Sequence, residues 1–140
     1  MASVCVDASL ALSWLLGGES SQQADLLMRK WARDDIKLIA PSMFPAEVTS
    51  VLRRAVYQKR ISKDEGESLF TVWAELPVSI VQSRQVYSRA WKLAKVYNLP
   101  VCYDMQYLAV AELEDCELWT LDRRLVNVTN GNTHVQWGGA

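Results

Sequence analysis

Short apolar runs of strand length alternate with longer stretches of helical periodicity along the whole chain, and this rhythm constrains the fold more than any single residue. A strand, then a helix, then another strand is how a parallel sheet covered by helices is written in sequence. Strand-like runs occupy 3–6, 37–40, 78–81 and 117–121, with a last edge strand at 134–137. Helical spacing predicts a helix over 8–16 that stops at Gly17-Gly18, and another over 21–33, where Ser20 and Gln23 have capping-box spacing. Pro41 closes the second strand. A helix over about 42–60 follows, with Val48, Val51, Leu52, Ala55 and Val56 on its apolar side. Ser62-Lys63-Asp64-Glu65 is a second capping box, opening a helix over 63–76 that Pro77 ends. Further helices are expected over 84–97, from Asp104 to about 114, and as a short turn at 123–126.

With 140 residues, half of them hydrophobic, the chain is expected to be a single domain spanning 1–140; it shows no repeat or low-complexity linker. No window approaches a membrane-spanning apolar stretch and the N-terminus lacks a secretory pattern, so a soluble, cytoplasmic protein is expected. Cys5, Cys102 and Cys116 are odd in number and far apart, which fits buried reduced thiols rather than disulfides or a zinc site. The net charge of -1 excludes the bulk positive field of a dedicated nucleic-acid binder. Local patches remain: Arg53-Arg54 with Lys59-Arg60 and Lys63, best read as a solvated helix face, and Arg123-Arg124 beside a candidate site.

That candidate site is acidic. Asp7 and Asp122 each end an apolar strand-like run, at the sheet edge where open α/β folds bind ligands. Glu47 and Asp104 lie near the starts of helical patterns and are expected at the same edge. Helix capping would explain Asp7 and Asp122 singly, and the helix dipole would favour Glu47 and Asp104 in first turns, but neither explains why four acids share one edge. Other chemistries lack their parts. His134 is the only histidine and has no nucleophile beside it, so it is read as structural or solvent-facing. The glycines form no nucleotide-binding loop. Glu112, Glu114, Asp115 and Glu117 make a denser acidic run, placed on the opposite edge as solvated surface.

Carboxylates gathered a few ångströms apart repel by on the order of several kcal/mol, so they must protonate, disperse or bind a cation. An all-oxygen donor set suits Mg²⁺ or Mn²⁺. Such an ion acidifies water and offsets charge on a phosphodiester under in-line attack, which makes phosphate-ester hydrolysis the expected chemistry.

The residues resemble the PIN-domain nucleases, in particular the small VapC-like toxins of VapBC-type toxin–antitoxin pairs. Four segments carry the resemblance: Val6-Asp7-Ala8-Ser9, Pro45-Ala46-Glu47-Val48-Thr49-Ser50-Val51-Leu52, Tyr103-Asp104-Met105-Gln106-Tyr107-Leu108-Ala109-Val110-Ala111, and Thr120-Leu121-Asp122-Arg123-Arg124-Leu125. The resemblance implies an α/β/α three-layer sandwich with a central, mostly parallel sheet of about five strands, and Mg²⁺- or Mn²⁺-dependent cleavage of RNA. It assigns Asp7, Glu47, Asp104 and Asp122 as metal-site acids, and Ser9 and Thr120 as hydroxyls that orient a carboxylate or a water there. Where the family often carries Asn, three residues after the glutamate, this chain has Ser50, whose shorter reach puts the positioning of Glu47 or substrate in question. Arg123 or Arg124 would meet backbone phosphate, and Trp14 is a candidate for base stacking.

The resemblance also implies a homodimer and a cognate antitoxin. Apolar positions at Leu69, Phe70, Val72, Trp73, Val86, Tyr87 and Trp91 could exceed core needs and supply the dimer interface. Trp31, Trp73, Trp91 and Trp119 are read as core or interface residues. The alternative function from another class is a non-catalytic PIN-like module that holds RNA or protein; a phosphatase or DNA nuclease could use the same acids.

Overall fold

Val4, Cys5 and Val6 are buried on both faces of their strand, an environment found only in the middle of a sheet with helices on each side. The computed structural model describes residues 2–140. These three residues lie in β1 (Ser3–Val6), followed by α1 (Ala8–Leu16) and α2 (Ser21–Arg33), β2 (Lys37–Pro41), α3 (Met43–Tyr57), α4 (Lys63–Glu75) and β3 (Val78–Val81). The second half continues with α5 (Arg84–Val96), α6 (Tyr103–Leu113), β4 (Glu117–Thr120), α7 (Arg123–Val128) and β5 (Val135–Trp137). The five strands run in the order β3-β2-β1-β4-β5, and every neighbouring pair is parallel.

This order sets where chemistry can happen. From β1 the chain moves outward to β2 and β3, then crosses back to β4 on the other side of β1. The two directions separate between β1 and β4, opening a crevice beyond their C-terminal ends. Right-handed crossovers put α1 to α4 on one face and α5 and α6 on the other, giving the expected three layers. Helix α6 packs on β1, β2 and β4 with α5 outside it. Its residues Met105, Tyr107, Leu108, Ala109, Val110 and Ala111 are all buried, as befits a helix apolar nearly all round.

Several expectations shift at element ends. Pro41 belongs to β2 and pairs with Val81 of β3 alone, since the pairing of β2 with β1 ends at Ile39. Leu121 and His134 fall just outside their strands, and α3 ends at Tyr57 rather than at 60. Ser20 forms no capping box. Gly17 and Gly18 turn the chain at φ 83° and 113°, the Ser21 amide donates to the Gly18 carbonyl, and Ser20 is left without the extended backbone that a side-chain cap needs. At α4 the capping box does form: Glu65 N–H donates to Ser62 Oγ at 3.1 Å and Ser62 N–H to Glu65 Oε1 at 3.2 Å.

Trp31 and Trp119 meet edge to face at 5.9 Å, and Trp73 meets Phe44 at 5.4 Å. Trp91, however, is 64% exposed on α5 and has no place in the core. Cys5 is fully buried but Cys102 and Cys116 only partly so, and all three thiols are free. No helix among the described residues is long and apolar enough to cross a membrane.

Gly66 is buried in α4, and a Cβ there would run into Val56 Cγ2 on α3. Overpacking costs about 1–3 kcal/mol, against a helix-propensity gain of at most about 1 kcal/mol. Gly66→Ala should therefore lower unfolding free energy in urea by about 1 kcal/mol net, rather than raise it as Gly→Ala does on a free helix face.

Candidate active site

Asp7 follows the last residue of β1 and is only 5% exposed, yet every part of its carboxylate is used. Oδ1 accepts from Ser9 Oγ at 2.6 Å and from the Leu10 amide at 3.1 Å, which makes Asp7 the N-cap of α1. Oδ2 accepts from Thr120 Oγ1 at 2.5 Å. Both hydroxyls also accept from the loop beyond β4: the Leu121 amide donates to Ser9 Oγ at 3.0 Å and the Asp122 amide to Thr120 Oγ1 at 2.9 Å. Asp7 is thus fastened to the loop that carries Asp122. Burial pushes the Asp7 carboxyl up to about 6; the bonds from Ser9, Thr120 and Leu10 pull the other way, and the nearby charge of Asp122 adds to the rise.

Asp122 is the N-cap of α7, accepting from the Arg124 amide at 2.9 Å. Capping is therefore a real role of both aspartates. Asp104 lies in the first turn of α6. Partial burial raises its carboxyl, the charge of Asp122 raises it further, and Arg124 opposes both. Glu47 departs from expectation: α3 starts at Met43, so Glu47 lies beyond the first turn and the helix dipole does not account for it. Burial raises its carboxyl, a hydrogen bond from Tyr107 lowers it, and the charge of Asp104 raises it. Each acid therefore feels the next, in the sequence Asp7, Asp122, Asp104, Glu47.

Tyr107 is the site neighbour that pattern reading assigns only to the core. Its ring is buried in α6, while its hydroxyl donates to Glu47 Oε1 at 2.7 Å. Burial and the adjacent Glu47 carboxylate raise this phenol far above its ordinary range, so it is a donor at any working pH. A tyrosine three residues after Asp104, on the same face of a helix otherwise apolar all round, is the signal that could have marked it.

The other candidates divide. Ser50 is exposed on α3, one turn past Glu47. Trp14 packs half-buried against the core two turns along α1 from Asp7, so its ring is not an open stacking platform. Arg123 lies 4.0 Å above the Trp137 ring, and Arg124 reaches Asp122 Oδ2 at 3.6 Å with 89% of its side chain exposed. The basic cluster of Arg53, Arg54, Lys59, Arg60 and Lys63 is exposed around the far end of α3, more than a turn from Glu47. Glu112 is not free surface: it accepts from Arg89 Nε at 2.6 Å with 16% of its side chain exposed, joining α6 to α5. His134 faces the Cys116 carbonyl through Nδ1 at 3.0 Å, on the edge away from the acids.

As a donor set, four carboxylates with hydroxyl support fit a hard divalent cation. Among the described residues no three acid, histidine or cysteine side chains already form a closed cluster; the acids are linked pairwise along one edge.

The sequence pattern of the PIN domain matches residues 4–131. The chain belongs to the PIN-domain family. It is 31% identical over 122 residues to VapC ribonuclease Mb0985 of Mycobacterium bovis, a match covering 87% of each chain. To ribonuclease VapC12 of Mycobacterium tuberculosis it is 30% identical over 97 residues, covering 69% of this chain and 73% of that one. Among solved structures, the fold is shared with a chain of a toxin–antitoxin complex from Klebsiella pneumoniae at TM-score 0.67 and 19% identity, covering 96% of this chain and 97% of that one. It is shared also with a chain of VapBC2 from Rickettsia felis bound to a promoter DNA fragment, at TM-score 0.69 and 11% identity, covering 96% and 98%.

In this PIN domain the native Asp7 carboxyl titrates near 6 and the unfolded one near 3.8, so between those values the native state holds a proton that the unfolded chain has released. For this group stability is greatest at low pH and falls as pH rises through the native value. In chelator, Asp7→Asn should be more stable than wild type by up to about 3 kcal/mol at pH 8, with the gap closing toward pH 4 in paired urea titrations.

Proposed function

We propose that this PIN domain is a metal-dependent endoribonuclease that acts as the toxin of a toxin–antitoxin pair. One observation carries the reading: four different elements bring Asp7, Asp122, Asp104 and Glu47 to the edge where the strand order reverses, with Asp7 bonded through Thr120 and Ser9 to the loop that carries Asp122. Capping and dipole effects account for single acids but not for this shared edge. Similarity to VapC ribonucleases supports RNA as the substrate class, and likeness to chains of toxin–antitoxin complexes supports a protein antitoxin as partner.

In this reading Asp7, Asp104 and Asp122 hold Mg²⁺ or Mn²⁺, with Glu47 completing the set. Such an ion, when bound, would supply a more acidic water and neutralise charge building on the phosphate. Ser9 and Thr120 fix both oxygens of Asp7, so it enters the site already oriented. Glu47 offers Tyr107 one oxygen and has the other left for the cation or for a proton from the attacking water. With Glu47 as base, water adds to phosphorus and gives it one proton, the P–O bond to the leaving ribose oxygen breaks, and that oxygen takes up a proton from solvent to leave as a hydroxyl. Arg124, 3.6 Å from Asp122 Oδ2 and with 89% of its side chain exposed, would be free to turn to an RNA phosphate. Arg123 is held by Trp137 at the same end of α7, suited to a neighbouring phosphate.

A homodimer acting in the cytoplasm completes the proposal. Its apolar surface is smaller than the sequence suggests, because Trp73 and Val86 are buried and Leu69 packs on the core. Phe70 and Val72 remain exposed on α4, and Tyr87 and Trp91, one turn apart on α5, are 52% and 64% exposed. Trp91→Glu should convert a dimer to monomer in sedimentation velocity.

The activity itself is tested on purified protein with single-stranded RNA, structured RNA, DNA and a small phosphate ester. RNA should be cleaved, chelator should stop cleavage, and Mn²⁺ should restore it. Asp7→Asn and Asp122→Asn should each lower turnover by more than about 100-fold. Turnover that survives chelator and both substitutions overturns the catalytic assignment. A module that only binds RNA or protein would give no saturable heat on titration with Mn²⁺.

A further inference from the structure

We propose that Tyr107 is a positioning residue that fixes the orientation of the Glu47 carboxylate and its spacing from Asp104, an inference that rests on reading this edge as the nuclease site. A buried phenol must find an acceptor somewhere, so a hydrogen bond alone would say little. What distinguishes this one is the acceptor. Its hydroxyl meets a half-buried carboxylate on another helix at 2.7 Å rather than a backbone carbonyl of its own surroundings.

The ring cannot wander. It is 2% exposed and meets Phe44 edge to face at 6.4 Å, and Phe44 in turn lies against Trp73 at 5.4 Å. Phe44 precedes Glu47 by one turn of α3, and Asp104 precedes Tyr107 by one turn of α6. Ring and hydroxyl therefore hold two successive turns of α3, while the same residue's helix carries Asp104. The backbone is fastened too, with Cys5 Sγ donating to the Tyr107 carbonyl at 3.5 Å, which seats α6 on β1 below Asp7. Glu47 by itself has three rotatable side-chain bonds, and its other neighbour in the series, Asp104, repels it. Tyr107 Oη is the hydrogen-bond donor that counters this repulsion and selects one placement. Oε1 is then committed and Oε2 is left to face the cation or the attacking water.

Tyr107→Phe removes the hydroxyl and keeps the ring packing. In isothermal titration of the folded protein, Mn²⁺ should bind about 3- to 10-fold more weakly, and kcat on RNA should fall about 10-fold with KM within about twofold. The reference variants are Glu47→Gln, which keeps an acceptor but loses the charge, and Glu47→Asp, which withdraws the carboxylate from the phenol at constant charge without touching the core. Adding Tyr107→Phe to either should cost little more than that variant alone.

If Glu47→Gln weakens Mn²⁺ binding while Tyr107→Phe changes neither affinity nor kcat, the positioning role is refuted and the nuclease reading stands. Losses that multiply in the double variants refute it as well, since Tyr107 would then act independently of Glu47. Glu47→Asp that binds Mn²⁺ as tightly as wild type refutes it even where Tyr107→Phe fails to fold. Wild-type protein that neither binds Mn²⁺ saturably nor cleaves RNA refutes the nuclease reading, and this inference with it.

Discussion

The buried carboxylate of Asp7 is the interaction on which the rest of the site depends. It starts α1, closes the gap between β1 and β4 through Thr120, and fastens the loop that carries Asp122 through the two hydroxyls that hold it. Burying a carboxylate is costly unless its oxygens are matched by donors. Here three donors are supplied, and burial still drives the carboxyl up to about 6.

Around that centre the remaining acids are delivered by unlike means. Asp122 arrives as a helix cap, Asp104 in the first turn of α6, and Glu47 from the second turn of α3. No single local rule explains all of them. They are united by sheet order, since β1 and β4 are neighbours and the helices that follow β2 and precede β4 begin over the same edge. Aromatic packing then tunes the approach of the two helix-borne acids, with Phe44 and Tyr107 wedged between α3 and α6. Arg124 lies 3.6 Å from Asp122 Oδ2, an exposed cation beside the acids.

Much of the fold was legible in the chain because periodicity and punctuation agree locally. Gly17-Gly18 stops α1, Pro77 separates α4 from β3, and Ser62 with Glu65 opens α4, each through chemistry contained within a few residues. The misplaced features have tertiary causes. Ser20 loses its cap to the turn made by the preceding glycines, Glu112 finds Arg89 across the α5–α6 contact, and Trp91 stays in solvent because α5 covers α6 with its other side. Tyr107 was legible only as a core residue, since its partner lies 60 positions away in sequence.

Sequence alone determined the alternation of strands and helices and singled out four acids, because side-chain period and residue type are properties of short segments, while Ser9 and Thr120 were singled out only by the family resemblance. Only the tertiary structure decided which strands are neighbours, that Asp7 and Thr120 share a hydrogen bond across 113 positions, and that Tyr107 holds Glu47. Distances between segments depend on how the sheet orders its strands and how helices pack across its edge, and no stretch of chain encodes these by itself.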